Sequence, residues 1–323
     1  MVSSSVKSAL KSSVRVSAPA TIANLGPGYD VIGMALNEPR DFVEVSLESR
    51  GEDFIEVEGV RSESISCDPK KNSALVAGRA VLERAGRGDL CLKMKVIKGV
   101  PPRSGLGSSG ASSAAGAYSV NVLLGMPLKD EELLQCAMEG ERAACGSPHA
   151  DNVAPALFGG VVFISSFKPI KVIRFEALKD LEIVVITPEV EIGEEKTKIA
   201  RQILPTSVPL QDMVRQTQAF GKLLVGLMNR DVALMGEGVS GDVVIERARA
   251  KLIPKFDYMK SCALEAGAYG FSISGAGPSV FALCPNNMGK QLGATLKSIL
   301  EKDGIRSSYS VHRNVGEGVK VVS

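Results

Sequence analysis

Residues 101–111, Pro101-Pro102-Arg103-Ser104-Gly105-Leu106-Gly107-Ser108-Ser109-Gly110-Ala111, alternate glycine with small and hydroxyl-bearing side chains. Glycine lets a backbone turn sharply and approach a ligand closely, because no Cβ intervenes. The alternation Leu92-Lys93-Met94-Lys95-Val96-Ile97 predicts a strand leading into this loop, and the Ala/Gly/Ser run from Ser112 to Leu124 predicts a helix leaving it. A loop feeding a helix N-terminus offers unpaired N–H groups and the positive end of the helix dipole to an anion. Ser108 and Ser109 add hydroxyls suited to a phosphate oxygen or to a phosphate-bound Mg²⁺. Most Gly/Ser-rich stretches are turns or linkers. The flanking strand and helix favour a nucleotide-phosphate cradle here, although neither GxxxxGK[ST] nor GxGxxG is present.

A carboxylate forms the second chemical signal. Within 130–145, Leu133, Leu134, Ala137 and Met138 fall on one face of a predicted helix, and Glu141 falls on that same face. Glu132 and Glu139 fall on the polar side with Arg142. An inward carboxylate must be paired or must hold a metal, since burying it alone is costly; the alternative is an edge position reaching water. Beside a phosphate loop, Glu141 becomes a natural hard-oxygen ligand for Mg²⁺. Just beyond, His149, Asp151 and Asn152 stand in a stretch bounded by Gly146, Pro148, Gly159 and Gly160, read as a loop. Polar loop residues often serve function, yet each of these, taken singly, is more often structural.

The rest of the chain must position these groups. Its 323 residues, 45% of them hydrophobic, suffice for a substantial core and suggest two domains. A net charge of +2 with interspersed signs leaves no electrostatic footprint for nucleic acid or an anionic membrane. No apolar run reaches the length of a membrane span. The six cysteines are scattered without a CxxC pair, which fits reduced thiols in a cytoplasmic protein better than disulfides or zinc. The Ser-rich, basic opening lacks a signal-peptide core, so residues 1–13 are expected to be a frayed tail. Alternation predicts strands at 14–18, 41–47, 54–57, 159–165, 181–187, 269–274, 279–283 and 307–311. Helical spacing covers 72–85, about 194–204, 210–228, 241–251, 255–267 and 287–302. Helices interleaved with few strands past residue 181 predict an α+β second domain, so the chain is divided into 14–170 and 171–323, the boundary falling around 166–180 where Ser165, Ser166, Lys168, Pro169 and Lys171 break the pattern.

Three segments together make the chain resemble the GHMP kinases. They are Ala18-Pro19-Ala20-Thr21-Ile22-Ala23-Asn24-Leu25-Gly26-Pro27-Gly28-Tyr29-Asp30, the Pro-x-x-x-Gly-Leu-Gly-Ser-Ser stretch, and Ser272-Ile273-Ser274-Gly275-Ala276-Gly277-Pro278-Ser279. Two further pieces, His149-Ala150-Asp151-Asn152-Val153-Ala154-Pro155 and Glu246-Arg247-Ala248-Arg249-Ala250-Lys251-Leu252-Ile253-Pro254, are similar to the branch that phosphorylates L-homoserine. The resemblance implies a ribosomal-protein-S5-like N-terminal domain and a ferredoxin-like C-terminal domain, with the active site between them. It also implies transfer of the ATP γ-phosphoryl group, with Mg²⁺, to the side-chain hydroxyl of L-homoserine in threonine biosynthesis. Related kinases that act on mevalonate, shikimate or sugars, and a binding protein without catalysis, are the competing readings. Dimerisation is common in the family, though nothing in these residues shows it.

By resemblance, residues 101–111 wrap the triphosphate, Ser108 or Ser109 joins Glu141 at Mg²⁺, and Asn72 lines the adenine pocket. Arg201 and Arg249 match a pair that takes the acceptor carboxylate, a task suited to a planar guanidinium. Asp30 matches the partner of the acceptor ammonium. Asn24, His149 and Asn152 match groups near the acceptor hydroxyl. Arg247 stands where relatives tend to have Pro; Arg249 keeps the register to Leu252-Ile253-Pro254. No residue is equally convincing as a catalytic base, and Asp151 is not obviously aimed at the acceptor.

Overall fold

The structure, a computed structural model, describes residues 13–175, 178, 180–190 and 196–322. The expected N-terminal tail lies outside the described residues apart from Ser13. The first part of the chain runs β1 (Val14–Ala23), β2 (Ile32–Glu48), β3 (Phe54–Gly59), α1 (Ser73–Arg84), β4 (Cys91–Lys98) and α2 (Ser108–Leu123). It continues through α3 (Asp130–Cys145), α4 (Ala150–Phe158), β5 (Val161–Phe167) and β6 (Ile170–Phe175). The long β2 organises the first sheet. It pairs antiparallel with β1 along both of its halves, with β4 through its second half and with β5 through its first. The β1–β2 register shifts between Pro19 and Thr21, and such a bulge bends a strand and re-aims its side chains. Here it turns Thr21 toward the glycine loop.

Helix α2 is buried on nearly every face, which its small residues make feasible. A Cβ on Gly116 would lie 2.2 Å from the carbonyl of Ala74, so α1 and α2 touch backbone to backbone. That contact stacks α1, α2 and α3 over the sheet, with Leu75, Val81, Val120, Leu133 and Leu134 in one core.

The second part runs β7 (Leu181–Pro188), α5 (Lys196–Gln202), α6 (Leu210–Asn229), α7 (Val232–Ser240), α8 (Ile245–Arg249), α9 (Phe256–Glu265), β8 (Gly270–Ile273) and β9 (Val280–Pro285). It closes with α10 (Gly289–Glu301), β10 (Ser307–Arg313) and β11 (Lys320–Val322). The order β10-β7-β9-β8 forms a four-stranded antiparallel sheet. Its strands alternate between two cores, as the period of two demands. Ile183, Val185, Phe281 and Leu283 join Leu223 and Val239 in the main core, while Val184, Ile186, Val280 and Ala282 pack with Phe256, Met259, Leu292 and Leu296. No helix among the described residues is long and apolar enough to cross a membrane.

Several elements depart from the expectations. The division expected at 170/171 falls within the β5–β6 hairpin, which stays in the first sheet. The C-terminus also returns to that sheet, where β11 pairs with β1. Arg40 fastens this return by donating to the carbonyls of Glu317 (3.2 Å) and Gly318 (2.6 Å). The helix expected over 241–251 starts later, as α8 at Ile245, because the Asp242 carboxylate accepts from the N–H groups of Val244, Ile245 and Glu246 and begins the helix there; α7, over Val232–Ser240, has no counterpart among the expected helices. The loop expected at 146–160 contains α4 despite Pro155. Burial of Val153, Ala154, Ala156 and Leu157 outweighs what proline costs a helix interior.

Candidate active site

Three loops and one helix terminus interlock around the glycine stretch. Gly105, at φ 88°, has no room for a side chain, since a Cβ would lie 2.6 Å from the carbonyl oxygens of both Ser274 and Gly277. At Gly107 (φ 66°) a Cβ would meet the Thr21 hydroxyl at 2.0 Å and Asn152 Oδ1 at 2.7 Å. Hydrogen bonds seal these approaches. Thr21 N–H donates to the Leu106 carbonyl (3.0 Å), Ser279 N–H to that of Ser104 (3.1 Å), and the Ser274 hydroxyl to that of Gly105 (2.6 Å). The Thr21 hydroxyl donates to Asn152 Oδ1 at 3.0 Å. Thus the three sequence segments singled out above meet in space.

Beneath the loop lies a charged network that the sequence reading missed. Lys98 and Asp41 form an ion pair whose side chains are 1% and 0% exposed. The Lys98 ammonium also donates to the Ser108 carbonyl (3.0 Å) and to the Ser112 hydroxyl (2.8 Å). Asp41 accepts from the N–H groups of Gly99 (3.0 Å) and Val100 (2.9 Å) and from the Ser112 hydroxyl (2.7 Å). The pair therefore pins the entry of the glycine loop and the first turn of α2 to the same point. A signal was available: Leu92, Met94, Val96 and Lys98 share the buried phase of β4.

Helix α2 begins at Ser108 after the N-cap Gly107 and has no side-chain cap, so no cap side chain occupies its first N–H groups. The two serines part company here. Ser108 is buried and donates to the Val100 carbonyl at 2.8 Å, whereas the Ser109 oxygen lies 3.3 Å from the Cys145 sulfur, on the side of Glu141. Glu141 is 3% exposed on the inner face of α3. One of its oxygens lies 3.0 Å from His149 Nδ1, and the other, Oε2, is buried with no partner. An orphaned anionic oxygen beside a phosphate-shaped loop is what a Mg²⁺ ligand requires. Burial works against charge on His149, but Glu141 and then Asp151 outweigh it and raise its pKa above the ordinary value.

Opposite the loop stand the groups expected to recognise an acceptor. Asn24 is 5% exposed, at φ 74°; it donates to the Gly275 carbonyl (3.1 Å) and accepts from the Asp30 N–H (3.1 Å). Asp30 itself sits at φ 60°, a backbone strain of the kind that collects at functional sites. Its carboxylate lies 3.3 Å from Arg201 Nη2, and both side chains are more than a third exposed. Arg249 is buried and donates to the carbonyls of Ala200 (3.1 Å) and Gly275 (3.0 Å), with its guanidinium 5.2 Å from the centre of the Tyr29 ring. Burial lowers its pKa. Arg249 therefore ties α5, which carries Arg201, to the 272–279 segment. Arg247 points elsewhere and pairs with Asp212 at 3.0 Å.

The structure thus joins Asn24, Asp30, Arg201 and Arg249 through Gly275 and Asn24, places Asn152 on Thr21 beside the glycine loop, and sets His149 on Glu141. Asn72 has local employment: it caps α1 by accepting from the N–H groups of Ala74 and Leu75, and it donates to the Ser66 carbonyl. Asp151, set aside in the sequence, proves notable. It is 2% exposed with Oδ1 unpartnered, and burial first, then Asp30, raises its pKa to about 7.

Residues 72–160 match the GHMP kinases N terminal domain and residues 223–298 the GHMP kinases C terminal domain. The homoserine kinase of Pyrococcus abyssi is 41% identical, covering 95% of this chain and 98% of the relative; that of Pyrococcus furiosus is 42% identical, covering 95% and 99%. A crystal structure of homoserine kinase from Cytophaga hutchinsonii superposes with a TM-score of 0.90 at 39% identity, covering 97% of this chain and 98% of that one. The chain belongs to the GHMP kinase family, in its homoserine kinase branch, and has that family's two-domain α+β fold.

Proposed function

We propose that the chain transfers the γ-phosphoryl group of ATP to the side-chain hydroxyl of L-homoserine, giving O-phospho-L-homoserine for threonine biosynthesis. The observation that carries this reading is the half-exposed Asp30–Arg201 ion pair, joined through Asn24 and Gly275 to the segment that closes on the glycine loop. Homoserine is a zwitterion, and its recognition calls for one anion and one cation. In the free protein these two charges satisfy each other. With substrate between them, Asp30 takes the ammonium and Arg201, positioned by Arg249, takes the carboxylate. A charge-assisted contact of this type is worth about 1.5–3 kcal/mol, more than the ~0–1 kcal/mol of the half-exposed pair it replaces.

Phosphoryl transfer asks a protein for positioning and charge stabilisation, with little covalent work. The 101–111 loop and the N-terminus of α2 cradle the phosphates. Glu141 and Ser109 would hold Mg²⁺, which would neutralise phosphate charge as it develops. Asn24, Asn152 and His149 orient the acceptor hydroxyl, and its proton leaves to the phosphate or to solvent. All six cysteines are unpaired, in keeping with a cytoplasmic enzyme. ADP release with L-homoserine, mevalonate, shikimate and galactose as acceptors tests the reading. Turnover with L-homoserine alone supports it; turnover with another acceptor alone keeps the phosphate site and overturns the roles of Asp30 and Arg201.

A further inference from the structure

Glu141 does not stand alone on its face of α3. Cys145, one helical turn on, lies on the same side, and His149 caps the next helix, α4, against both. One ligand atom from each of the three lies within 4.8 Å of the others. Glu141 is buried, its Oε2 has no partner, and the His149 side chain is 13% exposed. Two helices fix all three donors, so a cation meets them already converged.

Mg²⁺ uses only the carboxylate of this set, since it demands oxygen ligands in octahedral array. A thiolate and an imidazole beside the carboxylate suit a softer ion instead. Carboxylate, imidazole and thiolate are the ordinary ligands of tetrahedral Zn²⁺, and three of them leave one position open. We propose that Glu141, Cys145 and His149 form a site for a thiophilic divalent cation, Zn²⁺ foremost, that excludes Mg²⁺ from Glu141 and so silences the enzyme. On binding, the Cys145 thiol gives its proton to solvent and His149 binds through neutral Nδ1, losing any proton there. The Nδ1–Glu141 contact becomes two bonds to the metal, and nothing is oxidised or reduced. The Ser109 oxygen, at the start of α2, lies 3.3 Å from the Cys145 sulfur, so an ion held by this set would compete with the phosphates for the same place.

The metal-binding part stands by itself; the silencing part rests on the kinase reading. Titrating the metal-free protein with Co²⁺, and then displacing it with Zn²⁺, separates the two. The wild type should show a near-ultraviolet thiolate-to-cobalt band and the strong visible bands of low-coordinate Co²⁺, both lost on adding Zn²⁺. Cys145→Ser should lose the thiolate band and bind Zn²⁺ ~10³-fold more weakly, beyond the ~10–100-fold of an outer-shell change, while its Mg²⁺-supported turnover persists without zinc inhibition. His149→Gln should weaken Zn²⁺ binding likewise but keep the thiolate band. A wild type without that band, or a Cys145→Ser protein with unchanged zinc affinity, overturns the site. Zinc bound through Cys145 without inhibition that added Mg²⁺ relieves overturns the silencing, and a protein with no kinase activity leaves the spectroscopic arm fully decisive.

Discussion

Lys98 and Asp41, under the glycine loop, expose 1% and 0% of their side chains; Arg201 and Asp30 expose 39% and 37%. The first pair is bound on all sides by backbone N–H groups, a carbonyl and a serine hydroxyl. The second pair has water on its outer side. A buried pair repays its desolvation only when every remaining donor and acceptor is satisfied, and breaking it strands a charge. A half-exposed pair holds weakly and exchanges readily for other ions. If the proposed roles hold, the nucleotide side is built in advance, and the acceptor side is built to be opened by its substrate. The difference follows the ligands. Phosphates of every nucleotide present the same oxygens to a fixed cradle, whereas a small zwitterion must be told from other alcohols by its charges.

The largest effect should come from the prebuilt half. Glu141→Gln keeps the volume but removes the charge. A metal's transition-state stabilisation is worth several kcal/mol, so kcat should fall by ~10²-fold or more, with the thermal midpoint held or raised; a loss under tenfold would remove Glu141 from the metal site. Lys98→Met should destabilise by about 3–5 kcal/mol by stranding Asp41, measured by denaturant unfolding. The double variant Lys98→Met, Asp41→Leu should recover much of that stability yet keep a raised KM for ATP, because the loop entry loses its anchor. Unchanged ATP binding in the folded double variant would reduce the pair to a core feature.

The acceptor half should respond more gently and more selectively. Arg201→Ala should raise the KM for homoserine by ~10–10²-fold, the worth of one charge-assisted contact, with the KM for ATP unchanged. Asp151 lies where the two halves meet, and its effect should be the smallest on turnover. The folded protein holds its carboxyl near pKa 7 against 3.8 for the free group. Between those values the folded state keeps a proton that the unfolded chain has released, so stability falls as pH rises through that window. Asp151→Asn should flatten the slope and raise stability above it by roughly 1–4 kcal/mol, with kcat changed less than tenfold. A collapse of kcat with homoserine affinity intact would make Asp151 the general base.

Much of this site was legible in residue types and spacing. Glu141 announced itself by falling on the apolar face of 130–145, and the glycine loop by standing between a period-two strand and a small-residue helix. What stayed hidden was set by distant packing. Lys98 lies one residue beyond the alternation read as a strand, and its partner Asp41 is 57 residues away in sequence. Helix α4 was hidden by Pro155 and its flanking glycines, because burial decides there and local preference does not. The return of β11 to β1 has no local signal at all: a three-residue strand exists only where an edge awaits it. The choice between Ser108 and Ser109 likewise needed the position of Val100 and Cys145.

The most direct test of a charge-paired acceptor site compares L-homoserine with γ-hydroxybutyrate, which lacks only the ammonium, in the wild type and in Asp30→Asn. The wild type should favour homoserine in kcat/KM by ~10–10²-fold, and Asp30→Asn should erase that preference while leaving the KM for ATP in place. Equal use of both alcohols by the wild type, or a preference that survives in Asp30→Asn, would contradict the account.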